Sequence, residues 1–132
     1  MTRLSCALIA AALLFGASAR PAAAIKQFQD EWMKLYVEDN SNEDFVKAAE
    51  EAKCFICHQG KKKSNHNPYG EHLEELLSKK DKKDVEKIVK SIKAVAELKS
   101  DGDGSPTYAE LIAEGKLPGG TLEEAKEEPK KD

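Results

Sequence analysis

The chain has 132 residues, with 21 Lys and Arg against 24 Asp and Glu, a formal net charge of −3, and aromatics at only 6%. That acidic balance argues against nucleic acid as a partner, and the length fits one domain. So few aromatics leave a thin core, of the kind that a disulfide, a metal or another large apolar body usually supplements.

At the N-terminus Arg3 precedes an apolar, small-residue run from Cys6 to Ala19. The following "ARPAAA" offers A-x-A cleavage sites ending at Ala19 or Ala24. This is the pattern of a secretory signal peptide covering residues 1–24, cut after Ala24, and it predicts a periplasmic or secreted protein. The run is short and Ala-rich compared with the roughly 20 predominantly apolar residues of a membrane span, so none is expected after cleavage. Cys6 stands at the start of the apolar run, whereas a lipid-anchor cysteine would follow it. Removal of residues 1–24 takes away Arg3 and Arg20 and no acid, leaving 19 basic against 24 acidic residues.

The expected domain covers 25–120 and is all-α. Ile25, Phe28, Trp32, Leu35 and Tyr36 recur at helical spacing and predict a first helix over 25–38. Ser41 and Asp44 have the spacing of a capping box, and Phe45, Ala48, Ala49 and Ala52 form a stripe running into Cys54. Asn67 followed by Pro68 is a cap and first helical position, opening a helix over 68–79 with Tyr69, His72, Leu73, Leu76 and Leu77 on its inner side. Asp81 is the expected cap of a fourth helix, where Val85, Ile88, Val89, Ile92, Val95 and Ala96 make the strongest period in the chain. Thr107 and Glu110 form another capping box, opening a short helix that Gly115 can end. The charged tail over 121–132 lacks a second apolar turn and reads as frayed or disordered.

Between the second and third helices lies "AKCFICHQGKKKSNHNPYG", residues 52–70. Cys54, Cys57 and His58 make C-x-x-C-H, the attachment signature of c-type haem. Two thiols three positions apart can each form a thioether to a haem vinyl group, and the next residue offers an imidazole to the iron. Attachment takes place outside the cytoplasm, which agrees with the export signal. Two plainer readings use the same residues: a disulfide, or a zinc site of Cys54, Cys57, His66 and His72. The disulfide leaves His58 unexplained, and the zinc spacing C-x2-C-x8-H-x5-H has a short middle segment.

The stretch resembles that of a small exported monohaem c-type cytochrome. The specific match covers residues 54–58, with looser agreement in helical content and size over 25–118. The resemblance implies a helical domain wrapped around one covalent haem, with Cys54 and Cys57 carrying it and His58 as the proximal iron ligand. It implies an electron carrier rather than an enzyme, and no constellation of catalytic acids and bases is apparent. The usual second ligand in that family is a methionine well after the motif, but the last methionine here is Met33. The candidates for the sixth position are then, in order, His72, His66, Met33 and no ligand at all. An open iron would make a peroxidase-like enzyme or a gas sensor instead.

Lys61, Lys62 and Lys63 follow the motif and are placed either to neutralise a haem propionate or to present a cationic patch to an acidic redox partner protein. The plainer reading is a solvated loop. Further on, Asp101, Asp103, Gly104, Thr107 and Glu110 fit positions three, five, six, nine and twelve of a calcium loop, but Lys99 stands at position one and Pro106 interrupts it. The favoured expectation there is an Asp-Gly turn ahead of a capped helix.

Overall fold

The computed structural model describes residues 25–130, so the expected signal peptide and Cys6 lie outside the described residues. Six α-helices follow in order: α1 Lys26–Tyr36, α2 Glu43–Ala52, α3 Pro68–Leu76, α4 Val85–Ala96, α5 Tyr108–Ala113 and α6 Leu122–Lys126. Short 3-10 segments occupy Lys53–Ile56 and Lys79–Lys83. The described residues contain no strand, only two isolated antiparallel bridges, His58 with His66 and Lys99 with Thr107. The all-α expectation therefore holds. Among the described residues, no helix is long and apolar enough to cross a membrane.

Local chemistry sets where each helix begins. Asn42, not Ser41, caps α2: its Oδ1 accepts the Phe45 N–H at 3.2 Å. The one-residue shift follows from Asn40, whose Oδ1 accepts the Asn42 N–H at 2.9 Å and closes a turn before the helix. Glu43 and Asp44 then sit in the first turn, where the helix dipole favours negative charge. Asn67 caps α3 with Pro68 in its first turn, as expected. This helix stops at Leu76, because Ser78 and Asp81 form a capping box of their own around the 3-10 segment. Asp81 thus serves that segment. Asp84 takes the expected role at α4, its Oδ1 accepting the Lys87 N–H at 3.0 Å.

The core forms around α4, which packs on α1, α3 and α5. Its inner face carries Ile88, Ser91, Ile92, Val95 and Ala96, all buried, while Val85 is left exposed at the helix start. Burial of each isoleucine is worth about 1.5–3 kcal/mol. Trp32 of α1 meets Tyr69 of α3 at the centre, the indole Nε1 donating to the Tyr69 hydroxyl at 3.0 Å. Tyr69 lies edge-on to Tyr108 of α5, with ring centroids 5.0 Å apart. Leu76, expected on the inner side of α3, is exposed.

The tail departs from its expected disorder. Thr121 and Glu124 build a capping box, α6 follows, and Ala125 is buried. This short helix packs on α2 and on the Lys53–Ile56 segment. Two apolar contacts, buried Ala125 and partly buried Leu122, and a complete cap replace the missing second apolar turn.

Candidate functional site

Cys54 and Cys57 leave α2 through the 3-10 segment, where the chain turns sharply. Lys53, immediately before Cys54, has φ +49° and ψ −115°, a conformation that side chains disfavour. It is the only non-glycine residue with positive φ among the described residues.

Every main-chain carbonyl of Cys54–Cys57 is satisfied. Cys54 O accepts from the His58 N–H at 2.9 Å, and Cys57 O from the Asn67 N–H at 3.0 Å. Asn67 Nδ2 donates to Phe55 O at 3.2 Å and Ile56 O at 3.0 Å, while its Oδ1 caps α3 by accepting the Gly70 N–H at 2.9 Å. One buried side chain therefore locks the cysteine turn to the start of α3. Two glycines make room for it. A Cβ on Gly70 would lie 2.0 Å from the Cys57 carbonyl oxygen, and one on Gly119 would lie 2.0 Å from Asn67 Nδ2.

The loop from Gln59 to Asn65 is closed at its base by the His58–His66 bridge, with the Gln59 N–H donating to Asn65 O at 3.0 Å. The C-terminal segment holds the loop from the other side. The Gly60 N–H donates to Ala125 O at 2.8 Å, and the Lys61 N–H to Glu128 Oε1 at 3.0 Å. Neither contact has a signature in the sequence.

Cys54, Cys57, His58 and His66 together face a cavity of about 400 Å³. Phe28, Ile56, Leu73 and Leu77 supply apolar wall, and Lys53, Lys79 and Glu74 are its charged lining residues. That volume lies in the range of about 300–1,000 Å³ typical of cofactor pockets. Both cysteines are free thiols. Burial, and then the neighbouring Cys54, pushes the Cys57 thiol up to about 12, so it stays protonated at neutral pH. Burial first, and then the facing His66, holds the His58 imidazole below its usual value and hence neutral.

His72 is not brought to this cavity. It is half-buried on α3 beside Tyr108, with ring centroids 6.1 Å apart. Met33 lines a separate groove with Lys34, Val37 and Ile88. His66 is the residue that meets His58. The structure does not assemble Cys54, Cys57, His66 and His72 in one place, and among the described residues no three His, Cys, Asp or Glu side chains form a group suited to a metal ion. Lys61, Lys62 and Lys63 are exposed, with Lys63 Nζ 5.8 Å from the Phe55 ring centroid.

In the Asp101–Glu110 loop the Glu110 carboxylate is engaged in capping the Thr107 N–H. The loop is closed by Ser100, whose N–H and hydroxyl both donate to Pro106 O, at 3.0 and 2.8 Å. This is the turn and capped helix read from the sequence.

No protein-family model matches the chain, nor does any curated protein or solved structure.

Proposed function

We propose that this protein is an exported electron carrier whose single haem is held covalently by Cys54 and Cys57. The observation that carries the reading is the convergence of both free thiols and the His58 imidazole on one apolar cavity of about 400 Å³.

The residues suit that group. Cys54 and Cys57 would hold it as thioethers, the sulfur and the thiol hydrogen each adding to one carbon of a vinyl group. His58 would hold the iron through Nε2, because its Nδ1 faces Asn65 O at 3.3 Å. Phe28, Ile56, Leu73 and Leu77 would cover the apolar macrocycle, and the ammonium groups of Lys53 and Lys79 match its carboxylates in charge. When bound, an iron porphyrin supplies one-electron exchange between ferrous and ferric states, tuned by axial ligands, burial and local charge. The chain's own part is to keep the site rigid, through Asn67 and the two close-packed glycines, and to exclude water with its apolar wall. The absence of a three-residue ligand group among the described residues is compatible with this, since a porphyrin supplies four of the iron's donors itself.

Expression with its leader in a host competent for haem attachment tests the reading. The expected protein is coloured and shows a reversible one-electron couple in a spectroelectrochemical titration. Cys54→Ala and Cys57→Ala should each lower the yield of coloured protein. A colourless wild-type protein that binds zinc stoichiometrically would overturn the proposal.

A further inference from the structure

We infer that the lysine-rich segment Lys79–Lys93 is a docking face for an anionic lipid surface, on which the folded protein rests without crossing it. The distribution of charge carries the inference. Seven of the nineteen basic residues that follow position 24 fall in these fifteen positions, four lysines in the second 3-10 segment and Lys87, Lys90 and Lys93 in α4. With Asp81, Asp84 and Glu86 counted against them, the segment carries +4. The rest of the chain after residue 24 has twelve basic residues against twenty-one acidic ones, a charge of −9. A molecule polarised in this way turns one side to an anionic surface and holds the other away from it.

The structure presents these lysines to solvent on a fixed support. All seven are exposed. The 3-10 segment packs on α1 and α4, and α4 is held from behind by α1, α3 and α5. Asp81 Oδ1 accepts from Lys87 Nζ at 2.8 Å, and Asp84 is engaged in capping α4. The other six lysines therefore set the sign of the face.

The second observation is apolar. Among the described residues, the large hydrophobic side chains left exposed are Leu76, Val85 and Leu98. One precedes the lysine segment, one lies within it and one follows it. Val85 and Leu98 stand at the two ends of α4, about 20 Å apart along the helix. A protein interface is built on a contiguous apolar centre inside a polar rim. Single aliphatic side chains set apart among lysines suit a bilayer instead, whose fluid surface takes each one separately while the ammonium groups stay at the headgroups. Lipid is thus favoured over an acidic protein. Lys79 also lines the cavity that Cys54 and Cys57 face, so the docking face adjoins its rim.

Co-sedimentation of the purified full chain with lipid vesicles tests the inference. The readout needs no haem, so its outcome is separate from that of the haem reading. At low salt the protein should bind vesicles of equal parts phosphatidylglycerol and phosphatidylcholine, remain in solution with phosphatidylcholine alone, and leave the anionic vesicles as salt rises. The variant Lys80→Glu, Lys83→Glu, Lys90→Glu, Lys93→Glu should bind about tenfold more weakly. The variant Lys61→Glu, Lys62→Glu, Lys63→Glu should bind like wild type. If the first variant accumulates poorly, Val85→Ser with Leu98→Ser provides the second measurement, since it leaves the charge unchanged and should weaken binding roughly threefold. No binding to anionic vesicles at low salt would overturn the inference and leave the face to an acidic protein. Equal loss in the two lysine variants would overturn it as well, because the attraction would then belong to any exposed lysines. Binding that is indifferent to Val85→Ser with Leu98→Ser would contradict it too, since no apolar side chain would then enter the bilayer.

Discussion

Asn67 joins two tasks that are usually separate, capping a helix and satisfying the carbonyls of a turn that bears cysteines. Asn67→Ala removes the cap, worth about 1 kcal/mol, and strips a donor from two carbonyls in a tightly packed turn, at about 1–3 kcal/mol. Urea unfolding should show a loss of about 2–4 kcal/mol, together with a lower yield of haem-bearing protein. A loss below about 1 kcal/mol would mean that the turn does not depend on this side chain. Lys53 works in the opposite sense. Its positive φ is a conformation glycine adopts freely, so Lys53→Gly should raise stability by about 1 kcal/mol in the same assay. Unchanged or lower stability would show that the lysine stem gives more than the strain removes. These residues differ in how readable they were. The Asn67–Pro68 cap and the C-x-x-C-H motif are local patterns, legible in a few consecutive residues. Which of His66 and His72 comes to meet His58 is not. Helical spacing places His72 in line with Tyr69 and Leu76, yet Leu76 is exposed and His72 sits beside Tyr108, because spacing names a helix face without naming what packs on it. His66 is positioned by a bridge between two loop residues, which leaves no periodic trace.

At the level of elements, caps decide boundaries more sharply than apolar period does. The stripe of α4 was legible from Ile88 onward, where Ile88, Ile92, Val95 and Ala96 are buried, but Val85, read as part of it, is exposed. Its start was not, because Asp81 and Asp84 are equally good caps and only the Ser78 box separates them. Asp81 accepts from the Ser78 N–H at 2.8 Å and from Lys87 Nζ at 2.8 Å. The Lys87 ammonium, and then Ser78, hold its carboxyl down at about 2, below the ordinary 3.8. A depressed carboxyl gives stability that is complete above 3.8 and is lost as pH falls towards about 2. The urea midpoint of wild type should therefore drop through that window more steeply than that of Asp81→Asn. Parallel curves for the two proteins would show that the Lys87–Asp81 contact does not persist in solution. The docking of α6 was the least legible element. Beyond its own cap, its support is buried Ala125, partly buried Leu122 and two hydrogen bonds from the Gly60 and Lys61 N–H groups to Ala125 and Glu128, all settled by distant parts of the chain.

Across the whole molecule, an acidic chain carries an exposed run of three lysines, Lys61–Lys63, three residues after the Cys57–His58 end of the motif. If that run guides docking, electron exchange with an anionic partner should slow as salt rises. The variant with Lys61→Glu, Lys62→Glu and Lys63→Glu should react about tenfold more slowly at low salt and lose most of the salt dependence. Stopped-flow mixing with an anionic iron complex measures both, and equal rates for the two proteins would assign the lysines to solvation alone. Beneath the proposed function lies the claim that Cys54 and Cys57 carry haem covalently. The most direct measurement is to denature the purified protein, extract it with acidic organic solvent, and record the absorption and intact mass of the polypeptide that remains. The expected result is colour retained on a chain heavier by one haem, and lost from the double variant Cys54→Ala, Cys57→Ala; haem that extracts freely, or a chain at its apoprotein mass, would contradict the account.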